Sequence, residues 1–354
     1  MTKKAINRPH LDMANLWLGA IHAMMYVMRM TEYLVISDDS LARAVDILRG
    51  GRLVAFPTET VYGLGGDACN DHAVAGIFAT KGRPSFNPLI SHVATSEAAF
   101  SLGRKTAIAE SMAFNFWPGA MTLILDRTEN CNVSMLTTAG LHKIAVRVPS
   151  HEAATQLLTS FGGPLAAPSA NPSGGISPSM ATHVRDGLGD HIDLILDGGA
   201  CKSGLESTII DCSSDVPVIL RPGGITRDAI NHALVQAGQP LLQEKTESVD
   251  NHRPISPGQL ASHYAPQLRV RMNAETAEHT EIAIGFGMQM RDTAFNLSVT
   301  GDVTEAAANL FALLHKADRL GAEQNAIGIA IAAIPDHGLG EAINDRLRRA
   351  AAPR

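Results

Sequence analysis

Residues Val54 to His92 decide the fold, and they read VAFPTETVYGLGGDACNDHAVAGIFATKGRPSFNPLISH. The apolar start is typical of a buried strand, which ends at Pro57 because proline cannot continue a central ladder. The hydroxyl- and glycine-rich segment Thr58–Gly66 is therefore expected at the carboxyl end of that strand, where open α/β sheets bind ligands. Lys81 and Arg83 lie between glycine and proline, so we predict a rigid cationic loop that suits an anion.

Length, composition and charge indicate an ordinary soluble chain. The 354 residues suggest two domains, and 45% hydrophobic with 18% charged residues is typical of globular proteins. The net charge of -6 argues against a surface that wraps nucleic acid non-specifically. The four cysteines form no CxxC pair and the fourteen histidines include no HExxH motif. We therefore expect reduced thiols, no built-in metal site and a cytoplasmic location.

Strand-like and helix-like segments alternate, which indicates the α/β class. Prolines follow many strands, so we predict a twisted mixed open sheet with flanking helices instead of a doubly wound sheet. The predicted strands cover residues 33–37, 53–56, 89–93, 121–125, 144–148, 165–167, 194–196, 208–212 and 218–220. One predicted helix begins after a cap at Ser37 or Asp38. Others cover residues 71–80, 107–116 and 151–159.

The chain divides into four predicted parts: an extension (1–30), a main domain (31–240), a polar linker (241–268) and a small α/β domain (269–354). The small domain should contain strands at 269–271, 281–285 and 327–331, and helices at 304–320 and 342–350. Its Gly285-Phe-Gly287 lacks a third glycine in register, so we predict no dinucleotide site.

The extension carries cations before an apolar run, Leu16 to Met28, as a signal peptide would. However, His22 interrupts the run, Arg29 closes it, and it is too short to span a bilayer. We expect a disordered extension or a misassigned start, and no membrane association.

Four cations occupy similar places: Arg147 and Arg221 end apolar strands, and Lys81 and Arg83 lie on the predicted loop. Burying them unpaired would be costly, so each could pair with a carboxylate. Candidate carboxylates are Glu59 and Glu206. Because four cations recur in an acidic protein, we favour their convergence on a phosphate-rich ligand. Turn hydroxyls that could assist are Thr58, Thr60, Ser169, Ser177, Ser207 and Thr208. No Walker A motif or catalytic triad is evident, which favours positioning and charge stabilisation.

Seven ordered blocks resemble the YrdC/Sua5 family of threonylcarbamoyl-AMP synthases. They are the stretch at residues 54–92, counted once, WPGAMT (117–122), TTAGLHKIAVRVP (137–149), APSAN (167–171), GLESTII (204–210), RPGGI (221–225) and SPGQLASHYAP (256–266). The resemblance implies a YrdC-like twisted mixed open sheet and a small C-terminal Rossmann-like domain. It also implies condensation of L-threonine, bicarbonate and ATP to threonylcarbamoyl-AMP and pyrophosphate for the t6A modification of tRNA.

The resemblance also assigns residues to ligands. The threonine pocket would comprise Thr58, His92, Arg147, Ala167 and Ser207. The ATP-facing residues would be Lys81, Arg83, Asn87, Ser169, Asn171, Ser177, Arg221 and Tyr264. Catalysis would fall to Lys81, Arg83 and Arg221, which offset charge as pyrophosphate leaves. Mg²⁺ would arrive with the nucleotide. The product would pass to the tRNA threonylcarbamoyl transfer machinery, and we expect a monomer with little direct tRNA binding.

Two departures from the family pattern stand out. Lys143 replaces a small hydroxyl residue, which leaves an ATP contact there open, and Ala261-Ser262 stands where relatives carry a basic residue. Tyr264 resembles part of a lid over the nucleotide, but simple packing between domains is the alternative. Carbamoyl transfer of the hydrogenase-maturation type is disfavoured because its CxxC zinc motifs are missing. An RNA-binding module is the other alternative, against which stand the acidic charge and the lack of interleaved aromatics.

Overall fold

The computed structural model describes residues 31–243, 256–258 and 260–353 of the chain. The predicted extension, residues 1–30, lies outside the described residues, and so do residues 244–255 and 259 of the predicted linker. The described residues form two α/β units, one with a large sheet and one with a small sheet. The prediction of an α/β chain with a mixed sheet and a smaller second unit is confirmed.

The strands of the large sheet are β1 (Glu32–Val35), β2 (Val54–Phe56), β3 (Gly63–Asp67), β4 (Ile90–His92), β5 (Met121–Asp126), β6 (Lys143–Arg147), β7 (Leu165–Ala166), β8 (Leu194–Asp197), β9 (Thr208–Asp211) and β10 (Val218–Arg221). In the described residues they lie in the order β1-β8-β2-β3-β7-β4-β6-β5-β9-β10. The pairs β1–β8, β2–β8, β4–β6 and β5–β9 are parallel. The other neighbours are antiparallel, so the sheet is mixed as predicted.

Helices cover both faces of the large sheet. They are α1 (Asp38–Arg49), α2 (Asp71–Lys81), α3 (Ser96–Leu102), α4 (Ala107–Phe116), α5 (Glu152–Phe161), α6 (Ala181–Leu188) and α7 (Arg227–Gln236), with a short 3₁₀ turn at Gly189–His191. Side chains alternate along a strand. Phe56 therefore packs with α1 and α5 on one face, whereas Ala55 packs with α2 and α4 on the other.

The helix ends follow the capping signals in the sequence. Ser37 caps α1 and exchanges hydrogen bonds with Ser40 in a capping box, which confirms the predicted start. Helix α2 continues through Lys81 and ends at Gly82, whose φ of 59° is left-handed. Lys81 is therefore the last residue of a helix, and only Arg83 belongs to the predicted cationic loop.

The glycine-rich part of the deciding stretch forms a strand that the sequence did not predict. Strand β3 pairs antiparallel with β2 and β7. A Cβ atom added at Gly65 would lie 2.7 Å from Cε1 of Phe56. The phenyl ring thus packs directly on the backbone of β3, and glycine is needed there for space. Residues 57–62 connect β2 to β3 at the site described below.

The small unit contains β11 (Arg269–Arg271), β12 (Glu281–Gly285), β13 (Phe295–Asn296), α8 (Val303–Gln324), β14 (Gly328–Ile331) and α9 (Leu339–Ala351). Its sheet is parallel, in the order β11-β14-β12-β13. It packs against the large unit, where Val61 and Leu205 share a core with Phe311 and Leu314 of α8. No helix of the described residues is both long and apolar enough to cross a membrane.

Candidate active site

A pocket lies between the large sheet and the described end of the linker. Nine predicted site residues line it, namely Thr58, Arg83, His92, Arg147, Ala167, Ser169, Ser207, Arg221 and Tyr264. The other four predicted residues each bond to a lining residue from outside it, namely Lys81, Asn87, Asn171 and Ser177. The residues predicted to form the site, which are spread over more than half of the chain, therefore lie together in or beside one pocket.

Arg147 ends β6 and is almost completely buried. Its Nη2 donates to Oε1 of Glu59 at 2.6 Å and its Nε to the carbonyl of Gly119 at 3.2 Å. The expected alternative of a carboxylate partner thus holds for this arginine. Two of its five N–H groups make these bonds, which leaves enough donors for a bidentate contact with a second carboxylate.

Arg83 and Arg221 have a different environment. Arg83 donates to the side-chain oxygen of Asn87 at 2.7 Å and to the carbonyl of Pro88 at 2.9 Å. Arg221, at the end of β10, donates to the carbonyl of Ser207 at 2.9 Å. Among the described residues, neither guanidinium has a carboxylate within ion-pair distance. Burial, and the charge of Arg221, lower the pKa of Arg83 to about 10, because little nearby charge stabilises the cation.

The side chain of Lys81 contacts the backbone of the segment that follows β7. Its ammonium group donates to the carbonyl of Ser169 at 2.6 Å and to the carbonyl of Asn171. Burial first, and then the charge of Arg83, lower the pKa of Lys81 well below its ordinary value. The lysine therefore fixes the backbone of a lining segment through two hydrogen bonds.

Small polar groups complete the wall. The hydroxyl of Thr58 donates to the carbonyl of Val61 at 2.7 Å and lies 2.7 Å from the hydroxyl of Thr60. These local hydrogen bonds hold the β2–β3 connection in a tight turn beside the pocket. Nδ1 of His92 is buried without a hydrogen-bond partner among the described residues. Burial, and next the charge of Arg147, lower the pKa of His92 to about 3, so the imidazole is neutral near pH 7.

The linker segment covers the pocket. Gly258 has a φ of 80°, and a Cβ atom there would lie 2.8 Å from Cδ of Arg221. The ring of Tyr264 lines the pocket and also stacks on Phe311 of the small unit, at 5.7 Å between centroids. Tyr264 thus has both the position of a lid residue and the packing of an interdomain contact.

Some residues of the site were not predicted. Thr60, one of the turn hydroxyls considered above, also lines the pocket. The remaining lining residues are Val61, Gly63, Ile90, Pro168, Glu206, Pro257, Gly258 and His263. Most are apolar or backbone contacts, which leave no chemical signal in a sequence. Glu206 was considered only as a neutralising partner, and it bonds instead to Ser177 and to Arg346 of α9. Lys143 pairs with Asp211 at 2.8 Å, so its ammonium group has a structural partner.

Comparisons with known proteins point to one family. A family model described as "Telomere recombination", for Sua5, YciO and YrdC proteins, matches residues 46–223. A second, described as "Threonylcarbamoyl-AMP synthase, C-terminal domain", matches residues 225–352. Among curated relatives, the threonylcarbamoyl-AMP synthase of Bacillus subtilis is 38% identical over 92% of this chain and 96% of its own length. The synthase of Pyrococcus abyssi is 40% identical over 87% of this chain and 92% of its own length.

A solved structure agrees with the sequence comparisons. The crystal structure of Pyrococcus abyssi Sua5 complexed with L-threonine superposes with a TM-score of 0.79 at 36% identity. The match covers 91% of this chain and 97% of that chain, so it includes both α/β units. The twisted mixed sheet with a C-terminal domain is therefore shared along nearly the whole length. This chain belongs to the Sua5 family of threonylcarbamoyl-AMP synthases, which are enzymes of the nucleotidyltransferase type.

Proposed function

We propose that this chain condenses L-threonine, bicarbonate and ATP to threonylcarbamoyl-AMP and pyrophosphate. The observation that carries the proposal is the convergence of Arg83, Arg147 and Arg221 on one pocket. Of these three arginines, Arg147 is the one with a carboxylate partner among the described residues. Buried guanidinium groups without carboxylates favour an anionic ligand, and a nucleotide triphosphate is such a ligand.

The threonine end of the pocket is proposed to lie around Arg147. Its unused N–H groups can donate to the threonine carboxylate, while Glu59 keeps the guanidinium in place. Nδ1 of His92 has no partner among the described residues and is available for the amino or hydroxyl group. The hydroxyl groups of Thr58 and Ser207 also line the pocket, but they would have to exchange bonds to Val61 and Thr122. Ala167 would contribute an apolar contact. Pyrococcus abyssi Sua5 crystallised as a complex with L-threonine, which supports this substrate.

The nucleotide end is proposed to lie around Arg83, Arg221 and Ser169. These groups line the pocket, whereas Lys81 lies outside the lining and donates two of its three N–H groups to backbone carbonyls. Asn87 and Asn171 would act by orienting Arg83 and the Ser169 segment. Ser177, which donates to Glu206, remains a predicted ATP contact that would need a different rotamer.

The chemistry would follow from positioning and charge. The threonine amine and bicarbonate form a carbamate with loss of water, and a carbamate oxygen attacks the α-phosphorus. The bond from that phosphorus to the bridging oxygen breaks, and pyrophosphate leaves with the electron pair. The attacking carboxylate is already anionic and needs no general base. Arg83 and Arg221 would offset the charge that develops on the leaving group.

Mg²⁺ is proposed to arrive on the nucleotide. The described residues contain no cluster of three or more His, Cys, Asp or Glu side chains that could hold a metal ion. Glu206 lines the pocket, and both of its oxygens already accept hydrogen bonds. Phosphate oxygens and water are the usual ligands of Mg²⁺ at such sites, and they would shield the triphosphate charge.

Entry of ATP would require the linker segment to move. The pocket has a volume of about 50 Å³ beneath Pro257, Gly258, His263 and Tyr264, which is space for only a few water molecules. A nucleotide site normally offers about 300 Å³ or more. We therefore propose that this segment, including Tyr264, opens for ATP and closes again before the reaction.

The test is pyrophosphate release measured with every combination of ATP, L-threonine and bicarbonate. Release is expected only when all three are present, and the adenylate product should carry threonine. Release without threonine or without bicarbonate would contradict the proposed condensation. Salt-sensitive tRNA binding with no release under any condition would favour the RNA-binding alternative instead.

A further inference from the structure

One arginine of the small unit contacts residues of the pocket wall from outside the pocket. Arg346, on α9, is fully buried. Its Nε donates to Oε2 of Glu206 at 2.8 Å and its Nη1 to the carbonyl of Pro222 at 2.7 Å. Its guanidinium carbon also lies 5.2 Å from the ring centroid of Tyr264. Arg346 therefore contacts the residue before Ser207, the residue after Arg221, and the linker segment.

The carboxylate of Glu206 is fully occupied by this arrangement. Oε2 accepts from Arg346, and Oε1 accepts from the hydroxyl of Ser177 at 2.5 Å. Arg221 meanwhile donates to the carbonyl and hydroxyl oxygens of Ser207 and has no carboxylate within ion-pair distance among the described residues. Glu206 thus directly precedes Ser207, the residue that Arg221 contacts, but its carboxylate is bonded to Arg346 and not to Arg221.

Electrostatics support this division of partners. Burial alone would raise the pKa of Glu206, but the charges of Arg346 and then of Arg221 outweigh burial and lower it. The charges of both arginines therefore act on the carboxylate, although it forms a hydrogen bond with only Arg346. If Arg346 lost its guanidinium group, a buried carboxylate would be left with Arg221 as its remaining cation, and a direct pair would form.

We propose that Arg346 is a positioning residue for the nucleotide end of the pocket. By holding Glu206, it keeps the Arg221 guanidinium free of a carboxylate partner and available to phosphate oxygens. This inference rests on the proposed function, because it assigns Arg221 to ATP. It also gives the small unit a direct part in building the site, beyond packing against it.

The test compares four variants with the wild-type chain: Arg346→Met, Arg346→Lys, Arg346→Met combined with Glu206→Gln, and Arg348→Met. Affinity for a non-hydrolysable ATP analogue is measured by calorimetry, and KM for ATP and kcat are measured by pyrophosphate release. Arg346→Met should weaken nucleotide binding at least tenfold, and Arg346→Lys should weaken it less. The combined variant should regain most of the lost affinity, since Glu206 no longer carries a charge and Asp345, the other carboxylate that acts on Arg221, keeps its ion pair with Arg349. Arg348 is exposed on the same helix, so its variant should bind as the wild type does.

A pH series separates this role from simple support of the fold. The charged and titratable groups that act on Glu206 in the described residues are Arg346, Arg221 and Tyr264. Asp345 also pairs with Arg346 at 2.8 Å, and its charge acts on Arg221. Without Arg346 the pKa of Glu206 should be higher than in the wild type, because one of the two cations that lower it is gone. Acidification should therefore protonate Glu206 in Arg346→Met at a higher pH than in the wild type, and so release Arg221. The affinity ratio between the wild type and Arg346→Met should therefore shrink as pH falls. A purely structural role predicts a constant ratio.

Equal nucleotide affinities for the wild type and a folded Arg346→Met would overturn the inference alone. Failure of Glu206→Gln to restore affinity would overturn it as well. Should Arg346→Met not fold, Arg346→Lys with and without Glu206→Gln provides the same comparison. A wild-type chain that binds no ATP analogue would overturn the proposed function together with this inference.

Discussion

Replacing Arg147 by methionine tests the threonine end of the pocket. Methionine keeps much of the length of the buried side chain but removes the guanidinium group and its bonds to Glu59 and Gly119. It also removes the donors that we assign to the threonine carboxylate. Threonine affinity should therefore fall much more than nucleotide affinity.

The size of the effect follows from the hydrogen bonds. Each charge-assisted bond contributes about 1.5–3 kcal/mol, and about 1.4 kcal/mol corresponds to a tenfold change in affinity. Loss of one such bond to the carboxylate should weaken threonine binding roughly ten- to a hundred-fold. The free energy of unfolding should fall as well, by about 1–3 kcal/mol, because Glu59 keeps only its bond from the Ser150 amide.

A second variant separates these two effects. Combining Arg147→Met with Glu59→Gln removes the unpaired carboxylate, so the unfolding free energy should recover while threonine affinity stays low. Calorimetry with L-threonine and, separately, with an ATP analogue gives the affinities, and denaturant unfolding gives the stability. A threonine affinity within threefold of the wild type in folded Arg147→Met would refute the assignment. Equal losses for threonine and ATP would show that the pocket as a whole had collapsed.

Three further predictions concern other parts of the chain. Lys81→Ala removes a buried ammonium group that bonds to two backbone carbonyls, so nucleotide affinity should fall about ten- to a hundred-fold; wild-type turnover would contradict its role. Gly204→Ala should lower the melting temperature by several degrees, because φ is 65° and the new Cβ would overlap the carbonyl of Ala308; an unchanged melting temperature would show that the units adjust freely. His183 stacks on His315 at 3.9 Å between the units, and burial, then the charge of His315, lower the pKa of His183 to about 3. Below about pH 6.5 the unfolded chain protonates this imidazole, whereas the folded chain keeps it neutral down to about pH 3, so stability should fall over that range. Melting scans at pH 7 and pH 5 should therefore show a smaller drop for His183→Phe than for the wild type, and equal drops would count against this explanation.

Local signals in the sequence predicted most of the large sheet. Helix α4 has the predicted bounds, and Arg147 and Arg221 end their strands as expected. Strand β3 was missed because glycine has low strand propensity, and its use there depends on the ring of Phe56, which comes from a neighbouring strand. Helix α6 was missed because it contains Gly187 and begins without a side-chain cap at Met180.

The candidate site was predicted in part for similar reasons. Cations at strand ends or on the predicted loop and hydroxyl groups in turns are visible along the chain, and they led to six of the nine predicted lining residues. The other three, His92, Ala167 and Tyr264, came from the family resemblance. The partner of each charged side chain could not be predicted in this way, because ion pairs form between segments that are distant along the chain. Glu206 had been considered as a partner for a pocket cation, but it bonds to Arg346, which lies 140 positions later in the second unit. Only the folded arrangement of both units reveals that contact.

The order of strands in the large sheet has a consequence during synthesis. Strand β2 can pair with β3 at once, but its other edge and the whole of β1 must wait for β8. At ordinary translation rates that delay is on the order of ten seconds. During it, the apolar edge of Val54–Phe56 would be open to strands of other chains. Yield of the native chain should therefore depend on whatever shields this edge on the ribosome, and slow elongation between β2 and β8 should increase losses to aggregation.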